Sequence, residues 1–174
     1  SISTNVYDIS KFSMINVNLN DSIFVRSEFK GGKANQDEYN LSLYQTLNDK
    51  NQSIFGFRRS SLKFKNNTWF INKNNNANNR ILVERDFQNF TVDSIALRYK
   101  DQLIKLTGKT RDSTYKNLDL QFSNVDIDKI TPNLDSLKLG GELNGQLKIL
   151  QDNQLYKPNL DLKIDSLLVN QFNY

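Results

Sequence analysis

With no histidine and no cysteine among 174 residues, any chemistry here must come from carboxylates, lysines, tyrosines and hydroxyls. The missing histidine removes the usual general base near neutral pH, the commonest metal ligand and every histidine-dependent triad. The missing cysteine removes disulfides, thiolate zinc sites and thiol nucleophiles together. Asp119, Asp126, Asp128 and Asp135 fall close together, but they lack the ligand spacing and central glycine of a calcium loop. They read as charged strand faces and turns. Gly31, Gly32 and Lys33 lack the spacing and the following Ser or Thr of a phosphate loop. Gly140 and Gly141 sit inside an alternating strand, which excludes a dinucleotide fingerprint. Serines and lysines are plentiful, yet no spacing singles out a dyad. The chain therefore reads as no enzyme, with no catalytic residue and no cofactor or metal site.

Binding chemistry is more open. Arg58, Arg59, Lys63 and Lys65 form a basic cluster that could face lipid headgroups or an acidic partner, or be a solvated strand face. Trp69, Phe70, Phe87 and Phe90 could stack on bases or sugars, but most lie in phase with apolar neighbours, which favours core packing. The net charge is +4, from 23 basic and 19 acidic residues. That mild excess suits an anionic surface and is no nucleic-acid footprint.

The elements that must position these residues are strands. Asparagine occurs 25 times and alanine only 3 times. Alanine is the best helix former and asparagine favours turns. Period-two alternation dominates. Over 139–149, Leu139, Gly141, Leu143, Gly145, Leu147 and Ile149 share one face, and Gly140, Glu142, Asn144, Gln146 and Lys148 the other. The glycines suggest a bend, a bulge or close backbone approach. The same alternation recurs at Ile15, Val17 and Leu19; Leu41 and Leu43; Leu62 and Phe64; Ile95, Leu97 and Tyr99; Leu118, Leu120 and Phe122; and Leu160, Leu162 and Ile164. It predicts an antiparallel sheet with one wet face. Asn66 and Asn67 read as a tight hairpin, 73–79 as an Asn-rich loop, Asp101 and Gln102 as a turn, and 30–37 as a mobile loop. Helix is confined to one turn over 126–131, capped by Asp126 and ended by Pro132.

Asp-Ser before an aliphatic recurs at Asp21, Asp93, Asp135 and Asp165. At Asp93 and Asp165 the alternation slips by one residue. Such a slip sends the following side chains to the other face unless a bulge or corner absorbs it. Asp-Ser is read as that corner, so that the sheet curls. The chain has no apolar run near the ~20 residues of a membrane helix. It starts without Met or a signal-like segment, and the simplest expectation is an internal piece of a longer protein.

The segments 61–69, 87–97, 106–118, 125–132 and 134–145, in this order and spacing, resemble the translocation and assembly module subunit TamB in its Bacteroidota form. The likeness covers 60–170, about two-thirds of a chain read as a single β-rich segment over 1–174. The resemblance implies a long protein of the AsmA-like and bridge-like lipid-transfer superfamily. Such a protein lies in the periplasm, anchored to the inner membrane. It works with an Omp85-family outer-membrane barrel, both contacts lying outside this segment. It implies an all-β fold, a curled antiparallel sheet forming an extended trough. It also implies phospholipid transport and support of outer-membrane protein assembly, with no catalytic residues to carry over. About a dozen strands at ~4.8 Å would give a trough roughly 58 Å long. Its lipid-facing inner surface is expected to be Leu118, Leu120, Phe122, Leu139, Leu143, Leu147, Ile149, Leu160, Leu162 and Ile164. The alternative is a non-enzymatic β-sandwich or β-solenoid that binds a ligand or acts as a spacer in the envelope, with these residues filling a closed core.

Overall fold

The structure, a computed structural model, describes residues 2–3, 8–32, 36–131, 137–170 and 172–173. Over these described residues the fold is all-β, a single antiparallel sheet of fourteen strands with one short helix. The N-terminal strands are β1 (Ile2–Ser3), β2 (Asp8–Leu19), β3 (Ser22–Gly31) and β4 (Asp37–Leu47). Four short strands follow: β5 (Ser53–Phe57), β6 (Ser60–Phe64), β7 (Asn67–Ile71) and β8 (Arg80–Val83). The C-terminal half holds β9 (Asn89–Tyr99), β10 (Gln102–Arg111), β11 (Tyr115–Asp126), helix α1 (Ile127–Ile130), β12 (Leu139–Asp152), β13 (Leu155–Val169) and β14 (Phe172–Asn173). Twelve strands pair in the order β1-β2-β3-β4-β5-β8-β9-β10-β11-β12-β13-β14.

Asparagine-rich turns set the registers. Two-residue turns close β2–β3, β6–β7, β9–β10 and β12–β13, pairing Leu19 with Ser22, Phe64 with Asn67, Tyr99 with Gln102 and Asp152 with Leu155. Hairpin turns that match strand twist need positive φ, which asparagine tolerates better than most residues. Among the described residues, eight of the fifteen non-glycine positions with positive φ are asparagines, which explains their abundance. Two turns sit one residue before their expected places. The β6–β7 turn is Lys65 and Asn66, both at positive φ, and the β9–β10 turn begins at Lys100. Of the 30–37 segment, Lys30, Gly31 and Asp37 belong to the β3–β4 ladder, and 33–35 lie outside the described residues.

Directly paired residues share a face, so the registers trace two surfaces across the sheet. One is apolar. A row runs through Leu160, Leu147, Leu120, Leu106 and Ile95, and the next through Leu162, Gly145, Phe122, Ile104, Leu97 and Ile71. The other is polar, with Lys163, Asn144, Lys105 and Arg98 among its residues. Four bulges interrupt the ladders, and those in β9, β11 and β13 keep the apolar residues on one face. Each inserts one extra residue, in β2 near Lys11, in β9 at Asp93 and Ser94, in β11 near Asn124, and in β13 near Ser166. Lys11, Asn124 and Ser166 have positive φ. The two phase slips at Asp93 and Asp165 are thus bulges, which bend and twist the strand locally. Asp21 instead belongs to the β2–β3 turn, and Asp135 lies outside the described residues. Gly145 has φ +123, and a Cβ there would fall onto the Asp161 carbonyl in the neighbouring strand, so the close approach requires glycine.

Between β4 and β9 the sheet forks. One branch is β5–β8, reaching Leu43 on β4 and Val92 on β9; the other is β6–β7, reaching Tyr39 and Leu97. A fork leaves backbone groups without ladder partners, and buried ones must be satisfied. Three buried polar side chains do this. Ser60 Oγ accepts from the Ser42 amide at 2.9 Å, and Asn79 Oδ1 accepts from the Ala96 amide at 3.2 Å. Asn72 donates to the Phe57 carbonyl and to the Asn76 carbonyl. The 73–79 loop is therefore more than a connection, since the asparagines at its two ends fill the fork.

Helix α1 lies against the apolar face, where Ile127 packs with Trp69, Val125 and Leu143. Its position matches the expected helical turn, but its cap differs. Asp126 makes no side-chain cap bond and instead pairs with Lys129. Thr131 donates from its amide and its hydroxyl to the Ile127 carbonyl. Pro132 lies outside the described residues.

Candidate functional site

The registers bring the ten expected groove residues to one face of the three-strand stretch β11–β12–β13. Leu118 faces Ile149, Leu120 faces Leu147, and Val125 faces Leu143, which in turn faces Ile164. Phe122 and Leu162 flank Gly145, and Leu139 pairs with Val169 beyond the β13 bulge. The ten nevertheless divide into two environments. Leu143 is 9% exposed and belongs to the packed cluster around Trp69, with Phe122 and Leu139 against it. Leu118, Leu120, Leu147 and Ile149 are half-buried, and Leu160, Leu162 and Ile164 are exposed, Leu160 at 64%.

The face continues beyond β9. Phe12, Phe29 and Tyr39 form a ring series with centroids 6.2 and 4.5 Å apart, and Trp69 lies 5.5 Å from Tyr99. Beside α1, Tyr39 and Trp69 border an apolar cleft of about 210 Å³, lined also by Leu62, Phe64, Ile104 and Ile130. Its one charged lining residue is Lys129. The Asp126 carboxylate bonded to it holds the ammonium above the ordinary lysine range, since that bond favours the charged form. On the far side, Lys65 Nζ donates to the Asp128 carbonyl at 2.7 Å, tying the β6–β7 turn to α1. The helix, packed on β11 and β12, is thus also tied to the β6–β7 turn and covers one end of the apolar face.

The other candidates resolve differently. The basic cluster does not act together: Lys63 lies beside Glu38, Lys65 reaches α1, and Arg58 and Arg59 stack over Phe24 and Phe70. On the polar face Arg59, Arg26, Asn40, Ser61 and Phe70 line an open pocket of about 350 Å³, but Arg26 is already paired with Glu28 at 2.8 Å. Of the aromatics, Trp69 is core at 2% exposure, and Phe70 is half-buried on the polar face. Phe87 is 70% exposed in a turn, against the expectation of core packing. Ile15, Val17 and Leu19 pair with Arg26, Phe24 and Ser22, so beyond the Lys11 bulge they stand on the polar face. No aliphatic count along β2 could have located that bulge, because Lys11 at positive φ has no distinctive signal.

No group of His, Cys, Asp or Glu among the described residues is placed to hold a metal ion. Among the described residues, no helix is long and apolar enough to cross a membrane. Comparison of the chain with family models, with curated proteins and with solved structures finds no match in any of the three.

Proposed function

We propose that the apolar face is a lipid-bearing surface that shields acyl chains from water, in a non-enzymatic envelope segment of the TamB-like kind that the sequence resembles. The observation that carries this reading is the exposure gradient on one chemically uniform face. Leucine and isoleucine rows cross β9–β13 without a polar interruption, yet among the described residues only the end under α1 is covered. Monomeric folds normally bury such a surface, and a contiguous apolar patch left open marks an interaction site. Aliphatic side chains are non-directional, so a chain sliding over them meets no single deep well. Carrying a sixteen-carbon chain through water costs about 12 kcal/mol at ~0.8 kcal/mol per methylene, and an apolar floor removes most of that. The four bulges support a curled sheet, since each adds local twist and bend. In this reading the segment belongs to a periplasm-spanning protein that moves phospholipid between membranes and aids outer-membrane protein assembly. The anchor and the Omp85-family barrel contact would lie elsewhere in that protein.

A second reading, a spacer or binding module with a filled core, draws on the packing of Trp69, Val125, Ile127 and Leu143. Native mass spectrometry of the chain purified without detergent separates the two. The lipid reading expects co-purifying phospholipid, lost in Leu120→Asn with the fold retained by circular dichroism. Lipid-free protein that also fails to take up a fluorescent phospholipid from vesicles would refute it.

A further inference from the structure

We infer that the open pocket on the polar face, at the fork of the sheet, is a binding site for a phosphoryl group. The fork makes the pocket. Strand β4 pairs with β6 up to Asn40 and with β5 from Leu43 onward, so Leu41 and Ser42 lie where the two branches part. Four strands border the gap on the polar face: Arg26 stands opposite Ser42, Asn40 opposite Ser61, and Ser61 opposite Phe70. Arg59, on the link between β5 and β6, completes the wall of this space of about 350 Å³.

The wall is rich in unused donors. Among the described residues, the Arg59 guanidinium and the Asn40, Ser42 and Ser61 side chains have no hydrogen-bonding or ionic partner in the protein, and no carboxylate lines the pocket. The polar pocket beside Thr110 differs, with Glu84 and Asp93 in its wall. Arg59 is held at three points. Its amide donates to Asn75 Oδ1 at 3.1 Å, the Arg58 amide before it donates to the Ser42 carbonyl at 2.9 Å, and its guanidinium lies over the Phe70 ring, 5.6 Å from the centroid. Stacking uses the flat face of the guanidinium and leaves its in-plane N–H groups for a bidentate contact. Lys73 lies 5.5 Å from the same ring and Arg98 stands opposite Phe70, so positive charge surrounds it. Arg26 approaches from β3. Its ion pair with Glu28 at 2.8 Å has side chains 68% and 45% exposed, weak enough for an incoming anion to displace. Glu28 is then a competitor built into the site.

Donors on different strands select the anion. A carboxylate presents two oxygens in one plane, and a bidentate Arg59 would occupy both. A phosphoryl group directs its oxygens tetrahedrally, so Arg59, Arg26 and the hydroxyls can share them. The space also exceeds a bare phosphate and leaves room for a small polar body on the ester. A soluble phosphate ester and a lipid headgroup share this chemistry. The inference is independent of the lipid reading, because the pocket lies on the face opposite the apolar rows.

The test is calorimetric titration of the chain with glycerol phosphate, alongside flotation with phosphatidylglycerol vesicles. Saturable one-to-one binding of the phosphate ester is expected, with a dissociation constant of about 1 mM or below at low salt. Acetate at equal ionic strength should bind at least about tenfold more weakly. Arg59→Lys keeps the charge and loses the planar fork, and should weaken binding at least about fivefold. Glu28→Gln removes the competitor and should tighten it about threefold. Both side chains are open to solvent, so circular dichroism should show the fold unchanged. A soluble source predicts titration without Arg59-dependent flotation; a headgroup source predicts flotation that Arg59→Lys reduces. No saturable binding of either probe, acetate binding as tight as the ester, or Arg59→Lys that binds like the wild type would each overturn the inference.

Discussion

The two ends of the apolar face are built from the same residue types and end in different states. Under α1, Trp69, Val125, Ile127 and Leu143 close into a packed cluster, tied across the sheet by the Lys65 bond to the Asp128 carbonyl. Toward the β12–β13 turn, Leu118, Leu120, Leu147, Ile149 and Leu160 are presented by equally regular strands, and among the described residues no element packs over them. Strand alternation therefore decides only which face a side chain joins. Whether it becomes core or accessible surface depends on what crosses over it, and here a four-residue helix makes the difference. Stability should be concentrated at the covered end and binding capacity at the open one.

The sharpest break of that comparison is a charge at the covered end. Leu143→Asp places a carboxylate among Val125, Ile127 and Trp69. It should cost about 4–5 kcal/mol, at least a quarter of the ~5–15 kcal/mol a domain ordinarily has, and give a much lower urea midpoint or molten protein by circular dichroism. Trp69→Ala should follow at about 3–5 kcal/mol, read as a lower urea midpoint with unchanged slope. A small effect of either would mean that the covered end is as open as the other.

Much of this architecture was legible in the sequence, and the parts that were not share a cause. The strands, their alternation and the phase slips at Asp93 and Asp165 are local, and period two reports them directly. The fork is not local: it depends on Asn72 and Asn79 satisfying backbone groups at Phe57 and Ala96, up to seventeen residues away. In sequence those asparagines are indistinguishable from the loop residues between them. The bulge near Asn124 has no local signal, because Ser123 simply continues the alternation of Leu118, Leu120 and Phe122. The ten groove residues could be placed on one face from their spacing, but their division into covered and open could not. That depends on the Lys65 contact with α1, 63 residues apart.

Two smaller tests probe what holds the covered end in place. Asn79→Ala removes the acceptor for the Ala96 amide inside the fork and leaves a buried donor unpaired. It should cost about 1–3 kcal/mol and speed amide exchange at Ala96 before any change at the open end. The Lys129–Asp126 pair should contribute no more than about 1 kcal/mol, as a single ion pair still open in part to solvent. Its sign follows from the raised lysine: the contribution is complete below the ordinary lysine range and is lost as pH rises through the still higher folded value. Alkaline titration followed by the fluorescence of the single tryptophan should thus show a late change that Lys129→Gln lacks. Equal titrations would mean that this pair does not secure α1.

The smallest stability effect is the one that discriminates most. Leu160 is 64% exposed on the same face as Leu143, one strand away. Leu160→Asp should change stability by no more than about 0.5 kcal/mol, because the carboxylate remains in water. The same charge that unfolds the covered end would therefore be tolerated at the open end. Phospholipid uptake should nevertheless fall, because a headless acyl chain pays heavily to lie against a desolvated carboxylate. If Leu160→Asp proves as destabilising as Leu143→Asp, the open end is core that closes in solution and the contrast between the two ends disappears. If it leaves both stability and lipid uptake intact, acyl chains do not use this part of the face, and the lipid-bearing surface contracts to the cleft beside α1 bordered by Tyr39, Trp69 and Ile104.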